Sequence, residues 1–244
     1  MQAQTAPNNK PLVVITGASS GIGRSTAKAF ADEGHRLLLI SRGIEPLPEL
    51  NSARVLYEQV DVVDYEAVLK AVGKAEKEWG TTGCLVNNAG IVDARDFREI
   101  DQHSYSREID VNLKGMLNCT KAVLAGMIAN KSGTIINISS LSDRKTAPIA
   151  IAYTATKYAI RAATESLRES VAKDGVRFVN IAPAYVKTNI HKNMGITFEQ
   201  YCQSLGNPDF MEPDQVAEII LYCWKLPPNI CIRDLVVAPT GTTF

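Results

Sequence analysis

The sequence predicts an α/β fold, a doubly wound parallel sheet flanked by helices. Two patterns point there. Short runs of Val, Ile and Leu alternate with helical stretches along almost all of the 244 residues. The runs are also continuously apolar, whereas a strand with one wet face would alternate, and unbroken apolar strands suit a sheet covered on both sides. A third observation bears on domain count. A chain of this length with 45% apolar residues can bury one large core, and no linker, repeat or low-complexity segment divides it. The expected organisation is a disordered lead-in over 1–10 and a single domain over 11–244, because the start is polar, carries Pro7 and lacks the apolar stretch of a leader.

The elements follow in order. Strands are read at 12–15, 37–40, 55–59, 84–86, 134–138, 178–181 and 235–237 from their β-branched and aliphatic runs. Helices are read at 23–33, 65–79, 104–130, 152–173 and 213–225, from apolar residues at helical spacing. One crossover is expected to be weak. The stretch Gly43-Ile-Glu-Pro-Leu-Pro48 carries two prolines and leaves room for only a turn or two of helix.

The first chemical motif is Thr16-Gly-Ala-Ser-Ser-Gly-Ile-Gly23, which sits between an apolar strand and a helix. Strand, glycine-rich turn and helix form the context of a dinucleotide fingerprint. Gly17 permits the tight turn, and Gly21 and Gly23 let the chain approach a pyrophosphate at the helix N-terminus. The second motif is Tyr153 with Lys157, four residues apart on one helix face and thirteen residues beyond Ser140. An ammonium beside a phenol favours the phenolate. Free tyrosine titrates near ~10, so acting as a base at neutral pH needs a drop of ~3 units, roughly 4 kcal/mol.

With these motifs the chain resembles the short-chain dehydrogenase/reductase family from Leu12 onward. Asn87-Asn-Ala-Gly90, Asn112 within Asp110-Val-Asn-Leu113, and Pro183-Ala-Tyr-Val-Lys-Thr188 stand in the same order and at similar spacing. The resemblance implies a Rossmann-type fold and an oxidoreductase. It implies that Tyr153 is the general acid or base, that Ser140 holds the substrate oxygen, and that Lys157 lowers the phenol pKa and binds the nicotinamide ribose. Asn112 is implied to anchor a water that links Lys157 to solvent, and Ser139 to be a non-catalytic neighbour. It places Ser19, Ser20 and Ile22 in the cofactor turn, Asp61 and Val62 near the adenine, and Asn88, Ala89 and Gly90 beside the adenine ribose. Pro183, Val186 and Thr188 are implied at the nicotinamide carboxamide and a phosphate. Ala184 departs from the glycine usual after the proline and would be strained if the family backbone there has positive φ.

Charge argues for the cofactor type. The second strand ends Leu39-Ile-Ser-Arg42 with no carboxylate to take a ribose 2′-hydroxyl. Arg42 can instead grip a 2′-phosphate bidentately, and Ser41 can add a donor, so NADP(H) is expected. Arg24, in the first helical turn, reads as solvated rather than cofactor-bound.

The expected activity interconverts a ketone or aldehyde and the matching alcohol. Residues 232–240 also resemble the subgroup acting on 3-hydroxy acids, and a non-enzymatic NADP(H)-binding regulator is the reading from another class. The segment 189–212 is rich in aromatic residues and Met, and reads either as a substrate lid or as a small packed helix. His191 at its start either touches substrate or, the preferred reading, is an exposed lid residue. Arg144 and Lys145 either bind a substrate carboxylate or form a solvated loop. Zero formal charge gives no bulk attraction to nucleic acid or membrane. Five cysteines without ligand spacing and three scattered histidines argue against a metal site and for a reducing compartment. A cytoplasmic location is the expectation, since no apolar run has spanning length. By the resemblance the chain is a homodimer or homotetramer joined through the helices at 104–130 and 152–173, where Ala159, Ala162 and Ala163 accompany Ile160.

Overall fold

The computed structural model describes residues 10–242, with Asn193 and Met194 described in backbone only. Most of the expected lead-in and the last two residues therefore lie outside the described residues. Seven parallel strands form one sheet in the order β3-β2-β1-β4-β5-β6-β7. They are β1 (Leu12–Thr16), β2 (Arg36–Ile40), β3 (Val55–Glu58), β4 (Thr82–Asn87), β5 (Gly133–Ile138), β6 (Val176–Pro183) and β7 (Asp234–Val237). Every residue of β1 and β5 is buried, which fits their unbroken apolar or small sequence.

Helices cover both faces. On one face α1 (Gly21–Asp32) and α7 (Pro213–Lys225) pack Ala27, Phe30, Val216 and Ile220 against Val13, Ile15 and Leu39 of the sheet. On the other, α2 (Tyr65–Trp79), α4 (Gly115–Ala129) and α5 (Ile151–Val171) pack Val68, Val72, Val123, Met127 and Val171 against Leu12, Val14, Leu85 and Ile135. The remaining helices are α3 (Gln102–Ile109) and α6 (Phe198–Ser204). The seven strands and five long helices of the sequence reading are all present, with ends shifted by a residue or two. The helix expected at 104–130 runs from α3 into α4 through a five-residue π turn, Asp110–Lys114.

The β2–β3 crossover holds no helix at 43–48, which corrects the expectation of a turn or two. Pro46 and Pro48 each lack a backbone donor and disfavour helix in the preceding residue. Ile44, Leu47 and Leu50 instead insert singly into the α1 face of the core, and a single 3₁₀ turn forms at Ser52–Arg54. Sheet order reverses at β1, since β2 lies on one side and β4 on the other. The crevice beyond the carboxyl ends of β1 and β4 is therefore the topological switch point, where ligands bind in such sheets. Among the described residues no helix is long and apolar enough to cross a membrane.

Candidate active site

One cleft of about 1000 Å³ opens at that switch point. Its cofactor-sized end is built by the turn between β1 and α1. Gly17 and Gly21 have φ of +65° and +53°, a region only glycine enters without strain. A Cβ on Gly23 would lie 2.3 Å from the Gly17 carbonyl oxygen, so Gly23 is required for packing of the turn on itself. This differs from the expected role of approach to a pyrophosphate. Ser20 caps α1 through no side-chain hydrogen bond and the first turn holds no acidic residue, so neither competes with an anion for the N–H groups of that turn.

The Asn87–Gly90 segment interlocks with this turn. Thr16 Oγ1 accepts the N–H groups of Asn88 and Ala89 at 3.0 and 3.1 Å, and Asn88 Nδ2 donates to the carbonyls of Thr16 and Gly17. Asn88 lines the cleft, yet its amide is committed to bracing the glycine turn. Ser19 and Ser41 pair through their hydroxyls at 3.1 Å. Arg42 lies exposed on the cleft wall, with no hydrogen bond or ion pair to another described residue. Asp61 is ion-paired with Arg107; burial pushes its carboxyl up, but the Val63 N–H and Arg107 hold it below its ordinary value. Ile22, Val62, Ala89, Gly90, Pro183, Val186 and Thr188 also line the cleft. Arg24 forms a bidentate pair with Glu49 at 2.7 and 2.9 Å and takes no part in the site.

The reactive end carries Ser140, Tyr153 and Lys157. Ser140 Oγ accepts the Ser142 N–H at 3.1 Å and lies beside the Tyr153 phenol. Ser139 is buried and donates to the Lys157 carbonyl at 3.5 Å, as befits a neighbour. Lys157 Nζ donates to the Ile138 carbonyl at 2.9 Å and lies 5.3 Å from the Tyr153 ring centroid. Asn112, in the π turn, is fully engaged by protein: Oδ1 accepts the Ile91 N–H, and Nδ2 donates to Ile91 O and Thr156 Oγ1. It braces the Ile91 loop against α5. A Cβ on Gly90 would fall 3.4 Å from Asn112 Oδ1 and 3.9 Å from Lys157 Nζ, so Gly90 leaves the space between them open.

Burial dominates the titration of this pair. It pushes the Tyr153 phenol up to about 12, against the pull of the neighbouring Ser140 hydroxyl, and pushes Lys157 down to about 8, against the charge of Asp143. Among the protein's own groups burial thus outweighs the lowering expected of the phenol. A neutral phenol is the form that donates a proton.

Several other expectations are corrected. Arg144 points away from the cleft into ion pairs with Asp143 and Asp234 at 2.6 and 2.7 Å, while Lys145 lines the cleft. His191 is buried rather than exposed, with Nδ1 3.0 Å from Thr188 O and its ring against Phe198 and Tyr201. Ala184 has no positive φ and donates its N–H to Val237 O, so no strain arises there. Left-handed backbone occurs instead at Ala150 (φ +54°), immediately before α5 and on the cleft wall. In the segment 189–212, α6 carries a capping box of Thr197 with Gln200, and Phe198, Tyr201 and Phe210 cluster with Tyr185. Met211 is tied to Tyr185 and Lys187 by backbone bonds. Sequence reasoning missed buried Glu108 and Asp143, because nothing in their local sequence marks a loop or helix carboxylate as interior; Asn180 fell within the strand read at 178–181, which says nothing of the partners its amide finds. Among the described residues no cluster of ligand side chains could hold a metal.

The chain matches the family model described as short chain dehydrogenase over residues 11–197. It belongs to that family. It is 34% identical to an uncharacterised oxidoreductase of Listeria monocytogenes over 94% of this chain and 96% of the relative. It is 32% identical to another from Staphylococcus saprophyticus, over 93% and 97%. Among solved structures, a closed serine dehydrogenase complexed with NADP+ superposes with a TM-score of 0.89 at 27% identity, covering 96% of each chain. An alcohol dehydrogenase of Thermococcus sibiricus complexed with 5-hydroxy-NADP gives 0.81 at 26%, covering 93% and 95%. A 3-ketoacyl-(acyl-carrier-protein) reductase of Brucella melitensis complexed with NADH gives 0.84 at 25%, covering 94% and 97%. As a short chain dehydrogenase the protein is an oxidoreductase built on a Rossmann-type sheet.

Proposed function

We propose that this dehydrogenase interconverts a ketone or aldehyde and the matching alcohol with NADP(H), and that Tyr153 is its general acid or base. The observation that carries the reading is convergence. The glycine turn and Arg42 line one end of the same cleft whose other end holds Ser140, Tyr153 and Lys157. Structural neighbours hold either NADP or NADH, so the choice rests on charge, and Arg42 at the end of β2 favours a 2′-phosphate. The nicotinamide supplies the hydride; the chain supplies orientation and the proton. Ser140, with Oγ already accepting the Ser142 N–H, donates its own hydrogen to the substrate oxygen. Tyr153, neutral at pH 7, delivers the proton to that oxygen during reduction. Lys157 holds the nicotinamide ribose and offsets negative charge developing on the phenol. Residues 189–212 close over the substrate.

A second reading, oxidation of a 3-hydroxy acid, is supported by Lys145, a cleft cation with no ion pair to another described residue, and by the likeness of residues 232–240 to that subgroup. A non-enzymatic NADP(H) binder is the reading from another class. NADPH oxidation with a panel of neutral and carboxylated carbonyls separates the three. Tyr153→Phe is expected to lose ~10²–10⁴-fold or more in turnover with NADPH affinity nearly unchanged. Retention of most activity by that variant would show that the proton comes from elsewhere.

A further inference from the structure

The catalytic serine stands on a turn whose interior is charged. Asp143, three residues after Ser140, is 0% exposed. Its N–H bonds to the Ser140 carbonyl at 2.9 Å, closing the 3₁₀ turn Leu141–Asp143. Its carboxylate accepts Arg144 Nε at 2.6 Å and Asn180 Nδ2 of β6 at 2.9 Å. Asp234 of β7 accepts from the same two residues, at 2.7 Å from Arg144 and 2.9 Å from Asn180, and also pairs with Arg161 of α5 at 3.3 Å. An aspartate wholly removed from water is costly unless paired. Here Arg144, itself only partly buried, bonds both carboxylates, Arg161 reaches Asp234 alone, and the turn that carries Asp143 packs against α5, where Tyr153 and Lys157 lie.

We propose that Asp143 is a positioning residue for the Ser140–Tyr153–Lys157 set: it fixes the turn that carries Ser140 and supplies the buried negative charge that balances the Lys157 ammonium. The inference rests on the catalytic reading above. It agrees with the field at the site, since the Asp143 charge opposes the burial that strips Lys157 of its proton and also keeps the phenol protonated. Both effects favour the charge states that reduction needs, a neutral phenol beside a cationic lysine.

The test reads Lys157 directly and needs no substrate. Protein labelled with ¹³C at lysine Cε is titrated by NMR, the Lys157 resonance being assigned by its absence in Lys157→Arg. The unmodified protein is expected to show a midpoint near 8. Asp143→Asn should lower it by about one pH unit, as loss of a nearby opposite charge does. Arg144→Gln should raise it, because a positive charge that offsets Asp143 is removed. Opposite directions are the signature, since general loosening of the turn would move both variants alike. Unchanged midpoints in the two folded variants, or shifts of one sign, overturn the proposal. Should Asp143→Asn fail to fold, Arg144→Gln decides alone: an upward shift supports the proposal and an unchanged midpoint overturns it. Full turnover by Tyr153→Phe would overturn the catalytic reading separately.

Discussion

Glu108 is a single buried residue whose titration ties folding stability to pH. It is 1% exposed on α3; Oε1 accepts the Asp93 N–H at 2.7 Å and Oε2 is buried with no partner among the described residues. Burial pushes its carboxyl up to about 7, opposed by the Asp93 N–H and reinforced by the Asp93 charge. In the unfolded chain the group loses its proton near 4.5, in the folded protein near 7. Between these values the native state binds more protons, so stability falls as pH rises through the window and the full cost is present above it. That cost is on the order of 3 kcal/mol. Glu108→Gln should therefore raise Tm at about pH 8 and change it little at about pH 4.5, read by thermal unfolding at both. An equal change at the two pH values would contradict the assignment. At this scale the sequence was partly legible. Tyr153, Lys157 and Ser140 stood out because a motif at fixed spacing marks them. Glu108 and Asp143 did not, because a carboxylate on a polar stretch reads as solvated until the tertiary structure encloses it.

Secondary-structure elements deliver these side chains, and the strand ends matter most. Arg42 stands two residues past β2, where a carboxylate would select the ribose hydroxyl. Arg42→Asp should weaken NADPH binding on the order of 10²-fold while NADH binding is kept or improved, because an attraction becomes a repulsion. Fluorescence titration with both cofactors checks this, and equal affinity of the unmodified protein for the two would remove its basis. The strands were legible because parallel strands buried on both faces must be continuously apolar. The crossover at 43–48 was legible only as weak, since prolines forbid helix without saying what replaces it. The π turn was not legible. Asp110–Lys114 has an ordinary helical composition, and nothing in it marks the wider turn in which Asn112 bonds Ile91 and Thr156.

At the scale of the molecule, one sheet with helices on both faces followed from the alternation of patterns alone, whereas its strand order did not, because neighbours in a parallel sheet are chosen by crossovers and not by local sequence. The outer surface carries its own prediction. Ile109, Leu117, Ile151 and Tyr158, on the helices from 102 to 171, are exposed large hydrophobics, and we propose that a second copy covers them. Sedimentation at micromolar concentration should give a dimer or tetramer, and a monomer alone would refute it. The interlock of the glycine turn with Asn88 has a consequence for the order of folding. Its donors and acceptors lie about seventy residues apart in sequence, and β1 meets β4 only after β2, β3 and α2 have been looped out. Closing so long a loop costs entropy before any contact repays it. The glycine turn is accordingly expected to be a late product of folding. Replacing Thr16 by Val should speed unfolding far more than it slows refolding in stopped-flow denaturant experiments. The same hydrogen bonds hold the turn before a nucleotide arrives, so its conformational entropy has already been spent in folding.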